Sequence, residues 1–331
     1  MSKATLIAEC CQNHNGSRET LKRMIHEAAA AGADYVKIQA IRSREVAFRE
    51  RFEKGSKADD GTVRVIQRPY QAEVDRLAKL DLSLDDEAWF VDECARAGVA
   101  SMTTVFTRSG LREIAGMGYE AVKVASYDCA SAPLLRELTA AFSTLVVSTG
   151  ASFDSEIERA ADILIGAGSK FTFLHAVTIY PTPMHELHLR RMAWLRRFTP
   201  RVGLSDHTAP AKDGLWASKI ALGLGARCIE RHYTVLGPTE TRDGPVSITP
   251  AQLRELRAFA DLPRPERMAR LAAEYPTWEV ALGQSERALS HAELLNRDYY
   301  AGRFASKVGG RDVFNWEDVD LDAVARGNTA K

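Results

Sequence analysis

Five side chains able to do chemistry stand where strand-like runs carry or end in polar residues. Glu9 closes TLIAE, Lys37 lies in DYVKIQ, Lys123 in EAVKVAS and His232 in RCIERHY, while His207 follows RVGLS and Asp206. Two lysines from separate runs, with Thr104, Ser126, Ser148 and Ser205 at the ends of others, have the makings of an anion site suited to phosphate. A salt-bridged interior is the alternative, and spacing leaves both open. Two imidazoles at the ends of consecutive runs can share one divalent cation, with substrate oxygens and water completing the shell, or act in acid–base chemistry. The stretch AECCQNHNG (8–16) offers a rival cluster of Glu9, Cys10, Cys11 and His14. Strand alternation sends the two thiols to opposite faces, which weakens that cluster as a metal site. Cys10 then packs, Cys11 lies nearer the mouth, and Asn13, His14, Asn15 and Gly16 form a loop shaping the pocket floor around Glu9.

The elements that position these groups are short β-rich runs alternating with amphipathic segments. Strands are expected at 5–9, 34–39, 99–104, 120–126, 144–148, 171–177, 201–205 and 227–233, and helices at 18–31, 85–97, 109–117, 131–141, 154–167, 186–198, 211–224 and 250–260. Ser17 and Asp154 resemble N-caps; Gly32, Gly98 and Gly225 sit where a left-handed C-terminal turn is expected. Eight βα units with nearly continuous apolar strands predict an α/β fold, a closed (β/α)8 TIM barrel with a short C-terminal extension. An open doubly wound sheet is the alternative, weakened by the lack of a GxGxxG turn after the first strand. In a barrel the polar strand ends gather on one face, which is where chemistry sits. Residues 41–83 read as a charged insertion that either covers that face or decorates the surface. DLPRPERMAR changes the character of the chain, so the barrel is expected over 1–262 and a linker with a small C-terminal segment over 263–331.

Composition narrows the function classes. The 331 residues are 45% hydrophobic and 27% charged, with 44 basic and 44 acidic side chains, which argues against nucleic acid as the main partner. No apolar run approaches the ~18–20 residues that span a bilayer, and no signal-peptide layout opens the chain, so no membrane partner and a cytoplasmic location are expected. Five scattered cysteines without a CxxC fit a reducing compartment and no closed structural zinc site.

Taken together, AECCQNHNG, AGADYVKIQ (31–39), TTVF (103–106), AVKVASYD (121–128), VVSTGA (146–151), TIYPTP (178–183), GLSDHT (203–208) and IERHYT (229–234) resemble the sialic acid synthases and related nonulosonic acid synthases. The resemblance covers 5–260. It implies condensation of phosphoenolpyruvate with the open-chain aldehyde of an N-acyl amino sugar or related aldose, releasing phosphate and forming a 2-keto-3-deoxy acid. It further implies a divalent cofactor, Mn2+ or Mg2+, on His207 and His232, and a homodimer. Lys37, Thr104, Lys123, Ser126, Ser148 and Ser205 correspond to phosphoenolpyruvate contacts. Gln39, Tyr180 and Asp128 correspond to acceptor contacts, and Glu9 is the candidate for steering water or a proton. A metal-dependent phosphoesterase and a non-catalytic binding barrel are the competing readings.

The chain also departs from the family pattern. Ser126-Tyr127-Asp128 stands where the family reads Ser-Gly-Glu, Thr178 stands where Asn is frequent, and in LGPTETRDGPVSITP Asp243 is the candidate for the acidic position. Position 11 holds a thiol where the family has glycine. Residues 281–321 are similar to the family's linker and the opening of its antifreeze-like domain, which in the family closes a partner's sugar site with an arginine. Arg303 and Arg311 are both available here, and neither is assigned that role.

Overall fold

Alternation along each strand sorts side chains into an outer apolar face and an inner face that turns from apolar to polar toward one end. The computed structural model describes residues 3–327. Its eight parallel strands are β1 (Thr5–Cys11), β2 (Tyr35–Ala40), β3 (Ala100–Val105), β4 (Ala121–Val124), β5 (Thr144–Ser148), β6 (Lys170–His175), β7 (Val202–Asp206) and β8 (Cys228–His232), closed into a barrel. β8 closes on β1 with Thr5 opposite Cys228 and Glu9 opposite His232. The barrel is the expected fold, and an open sheet is excluded.

Leu6, Ala8, Cys10, Val36 and Ile38 face outward and join Leu21, Met24 and Ile25 of the first helix in the main core. Inside, Ile7, Met102, Ala121, Val146, Leu174 and Cys228 form an apolar plug, with Tyr35 packed against it. On β7 Gly203 flanks the plug, since a Cβ there would fall 2.0 Å from the Cys228 carbonyl oxygen. Two residues further along six of the strands, the period-2 geometry of a strand places Glu9, Lys37, Thr104, Lys123, Ser148 and Glu230 in the next layer. The plug is therefore the floor on which the polar layer rests.

Several helix ends follow from their caps. Ser17 accepts the Thr20 N–H, and Ser83 opens Leu84–Ala97 with a capping box that ends at left-handed Gly98. Asp154 is not the N-cap expected from sequence. Phe153 occupies that position, its N–H donating to Glu156, while Asp154 pairs with Arg191. The expected helix at 186–198 resolves into a turn at Met184–Glu186 and a helix at Arg191–Leu195, with His188 between them at φ 48°. The one at 211–224 breaks into Pro210–Asp213 and Trp216–Gly223 at Gly214, whose φ is 55°.

The insertion is ordered: a helix at Arg51–Lys54, a hairpin of Ser56–Lys57 with Val63–Val65, and a helix at Tyr70–Ala78. The chain after the barrel lies against it. Ala47 N–H donates to the Arg303 carbonyl and Ala305 N–H to the Glu45 carbonyl, each at 2.9 Å, and Val46 bridges Phe304. Between these parts, helix Arg264–Glu274 is tied to helix Trp216–Gly223 by Arg264 and Arg267, which donate to the Gly223 and Leu222 carbonyls. Among the described residues, no helix is long and apolar enough to cross a membrane.

Outside the barrel wall, Arg231 and Asp206 pair at 2.7 Å, with side-chain exposures of 1% and 0%. Asp206 also accepts from Ser218 at 2.6 Å and from the N–H and hydroxyl of Thr208. The pair locks the ends of β7 and β8 side by side. Removing one member of a buried pair strands the other without a counter-charge, so Arg231→Leu should cost about 3–5 kcal/mol in a urea titration.

Candidate active site

The polar layer opens into a cavity of about 450 Å³ at the C-terminal ends of the strands. Its floor is a charge lattice. Glu230 accepts from Lys123 at 2.9 Å and from Ser205 at 2.8 Å, and lies 3.8 Å from Lys37. Lys37 in turn donates to Thr104 at 2.8 Å and is in close contact with Glu9, whose other oxygen accepts the Cys11 N–H at 2.6 Å. Burial pushes Lys37 down to about 7, Glu230 opposing the shift and Lys123 adding to it. For Glu230 burial works upward, but the charges of Lys123 and Lys37 hold it well below the usual carboxylate range. Two lysines thus lie beside two carboxylates on a buried floor. An anion entering from above meets lysine Nζ groups and hydroxyls already oriented.

The thirteen residues given a catalytic, substrate-binding or metal role from sequence all line this one cavity: Glu9, Lys37, Gln39, Thr104, Lys123, Ser126, Asp128, Ser148, Tyr180, Ser205, His207, His232 and Asp243. The His207 and His232 ring centroids are 5.2 Å apart, and Tyr180 lies over His207 at 4.4 Å. Burial lowers both histidines, His207 to about 3, so each presents a neutral imidazole. Nδ1 of each is buried without a hydrogen-bond partner, and in the tautomer protonated at Nε2 it offers a lone pair to a cation. The donor set fits a divalent ion. The ligand atoms lying within 4.8 Å of one another belong to Cys11, His232 and Asp243.

The β1 loop has a different role from the expected pocket floor. Asn13, His14 and Asn15 do not line the cavity; Gln12 does. Asn13 donates to the Tyr233 carbonyl at 2.9 Å and to Ser247 at 3.0 Å, and Ser247 donates to the Asp243 carbonyl at 2.7 Å. Asn15 holds the Glu240 carbonyl. The loop therefore tethers the segment after β8 and with it Asp243. Cys11 and Cys10 do take opposite faces, but Cys11, the last residue of β1, departs from extended geometry. It sits at a register shift with φ 50°, a left-handed conformation costing a side chain about 1–2 kcal/mol, and Gln39 Nε2 donates to its Sγ at 3.0 Å. Burial raises the thiol's pKa, with Asp243 adding to the shift.

Glu230 stands within the IERHYT motif but had no role assigned from sequence, and most of the rim was missed as well. Its separation of two from His232 on one strand was the available signal. Asn296, Tyr300, Arg303 and Asn315, all beyond the barrel, line the mouth, as do Arg68 and Arg76 of the insertion and Arg242. Asn315 donates to Asp128 at 2.8 Å; burial lifts that carboxyl to about 6, against the bonds from Asn315 and Ser131. Tyr127, which stands where the family pattern has glycine, stacks on Tyr300 at 5.0 Å. Arg303 belongs to the cavity and is anchored by Glu73, whereas Arg311 pairs with Glu317 away from it.

A family model described as the NeuB family matches residues 24–261, from the first helix to the last helix of the barrel. The chain belongs to the NeuB family. It is 29% identical over 264 residues to an N,N'-diacetyllegionaminic acid synthase of Campylobacter jejuni, covering 77% of this chain and 75% of the relative. It is 26% identical to a pseudaminic acid synthase of the same species, covering 96% and 86%. An N-acetylneuraminic acid (sialic acid) synthetase from Leptospira borgpetersenii has a similar structure, with a TM-score of 0.67, 25% identity, and 90% and 91% of the two chains covered. The family's synthases thus share this chain's barrel, which accords with the resemblance drawn from its motifs.

The two parts of the rim are joined through Glu73, which meets Arg76 on its own helix and Arg303 of the segment after the barrel. Burial alone would raise its pKa; the Arg76 hydrogen bond and the Arg303 charge hold it down to about 2. A depressed carboxylate stabilises the fold above its unfolded pKa of about 4.5 and loses that contribution as pH falls toward 2. Unfolding free energy should therefore decline with acid across that window, and Glu73→Gln should flatten this part of the profile in urea melts taken at several pH values.

Proposed function

We propose that this chain condenses phosphoenolpyruvate with the open-chain aldehyde of an N-acyl amino sugar or a related aldose, forming a 2-keto-3-deoxy acid and releasing phosphate. The observation that carries the reading is the floor: two buried lysines and four hydroxyls converge on one cavity around Glu230, within a family of such synthases. Lys37, Lys123, Thr104, Ser126, Ser148 and Ser205 hold the phosphate and carboxylate of phosphoenolpyruvate. A bound dianion replaces part of the lysines' interaction with Glu9 and Glu230 and keeps Lys37 protonated, since nearby negative charge raises an ammonium pKa.

The acceptor stands above this floor, between Gln39, Tyr180 and Asp128. Carbon 3 of phosphoenolpyruvate forms the new bond to the aldehyde carbon, whose oxygen takes up a proton. Water adds at carbon 2, and the resulting adduct expels phosphate to leave the ketone. Glu9, adjacent to Lys37, steers that water or its proton. A divalent ion held at His207 and His232 supplies Lewis-acid polarisation of the aldehyde when bound. Asp128 is one methylene shorter than the family's glutamate, and Tyr127 with Tyr300 narrows the same wall, so acceptor choice is where this chain differs from its relatives. A homodimer in the cytoplasm completes the reading.

The test is incubation with phosphoenolpyruvate, Mn2+ and a panel of aldoses, reading phosphate release and product mass. Release that depends on an aldose, with a product heavier by the pyruvate unit, is expected; release without aldose would instead indicate a phosphoesterase, and none at all a binding barrel. Glu9→Gln should lower kcat by about 10²–10⁴, the usual range for a positioned proton-transfer group. A loss of only a few-fold would remove Glu9 from that role.

A further inference from the structure

Position 11 is built for a residue without a side chain, yet it carries a thiol. Its φ of 50° lies in the region glycine adopts freely, and the family pattern has glycine there. The thiol is buried at the cavity wall, where Gln39 donates to its sulfur. Within 4.8 Å of one another lie Sγ of Cys11, a ring nitrogen of His232 and a carboxylate oxygen of Asp243. These groups arrive from separate segments: the end of β1, the end of β8 and the loop after it. Two independent devices hold them there. The Asp206–Arg231 pair fixes the β8 end, and the Asn13–Ser247 bond fixes the loop that bears Asp243. Nδ1 of His232 is buried and has no hydrogen-bond partner.

The chemistry of such a trio is selective. Mg2+ is bound by oxygen ligands in octahedral geometry, whereas one thiolate, one imidazole and one carboxylate suit Zn2+, Co2+ or Fe2+. Three protein ligands with a fourth position open is the arrangement of a catalytic rather than a structural centre.

We propose that Cys11, His232 and Asp243 form a three-ligand centre for a transition-metal dication such as Zn2+ or Co2+, with the open position facing the cavity. The inference rests on the reading of a divalent cofactor in this site, and moves its centre from between the two histidines toward β1. On binding, the S–H bond of Cys11 breaks as sulfur coordinates the cation, the proton passes to solvent, and no electron is transferred. His207, one ring away from His232, is left free to contact the substrate oxygen that takes the open position.

Titration of the metal-free protein with Co2+ alone, without added thiols, tests this. A near-ultraviolet thiolate-to-cobalt charge-transfer band should saturate at one equivalent, persist in excess Mg2+ and disappear when Zn2+ is added. Cys11→Gly, which relieves the left-handed backbone and so should fold at least as well, must abolish the band. It should also weaken Co2+ binding by more than the roughly 10–100-fold typical of losing a group that merely supports a ligand. Cys11→Ser should likewise lose the band, and Cys129→Ser should keep it. Cobalt binding without the band, an unchanged band in Cys11→Gly, or no cobalt binding would each overturn the proposal. Aldose-dependent phosphate release with Mn2+ separates the two readings. Release without the band leaves the synthase reading standing and removes the thiol centre; the band without release does the reverse.

Discussion

The site depends on one buried carboxylate. Glu230 lies inside the barrel between two lysines, and burying either lysine without it would leave an ammonium with too little compensation in a water-poor interior. With it, the cations are held in place while Thr104 accepts from Lys37 and Ser205 donates to Glu230 itself. The pair Glu230 and Lys123 spans the barrel interior from β8 to β4, so closure of the sheet and assembly of the anion site are one event.

The layering beneath follows from strand geometry. An apolar plug of Ile7, Met102, Ala121, Val146, Leu174 and Cys228 excludes water below the charges, and a step of two residues along most of the strands turns apolar to polar. Outside the wall, the Asp206–Arg231 pair holds β7 and β8 together at the level where His207 and His232 emerge. The interior charges face the cavity and the exterior pair braces them. The two sets share strands but not side chains, so the brace can be strong without occupying the site.

The rim is a second construction laid over the first. The insertion after β2 and the segment after residue 290 meet through backbone bonds at 45–47 and 303–305 and through Glu73, and together they place Arg68, Arg76, Arg303, Asn296 and Asn315 around the mouth. The family model ends at residue 261, so much of this rim lies outside what the match describes. Asp128, held by Asn315, and Tyr127, stacked on Tyr300, tie the barrel's fourth loop to that cover. In a barrel whose floor chemistry is set by strands, such loop and rim contacts are where acceptor preference can vary.

Much of the barrel and its floor was legible in the sequence, because strand runs are short, apolar and evenly spaced, and period-2 alternation dictates which residues face inward. Lys37, Lys123, His207, His232 and the strand-end hydroxyls are local consequences of that pattern. Helix interruptions at His188 and Gly214 were not, since left-handed backbone at a single residue outweighs helical periodicity there. Glu230 was visible as a polar residue, but its partners lie 107 and 193 positions away in Lys123 and Lys37, a proximity that only barrel closure creates. The same holds for Cys11, His232 and Asp243, and for the docking of Arg303 on Glu73. By itself the sequence determined the elements, their order and the residues each strand points inward. Which of those residues share a charge, a cation or a wall was decided by tertiary structure, because electrostatic and ligand contacts act over a few ångströms and depend on where the closed sheet and its covering loops bring distant segments.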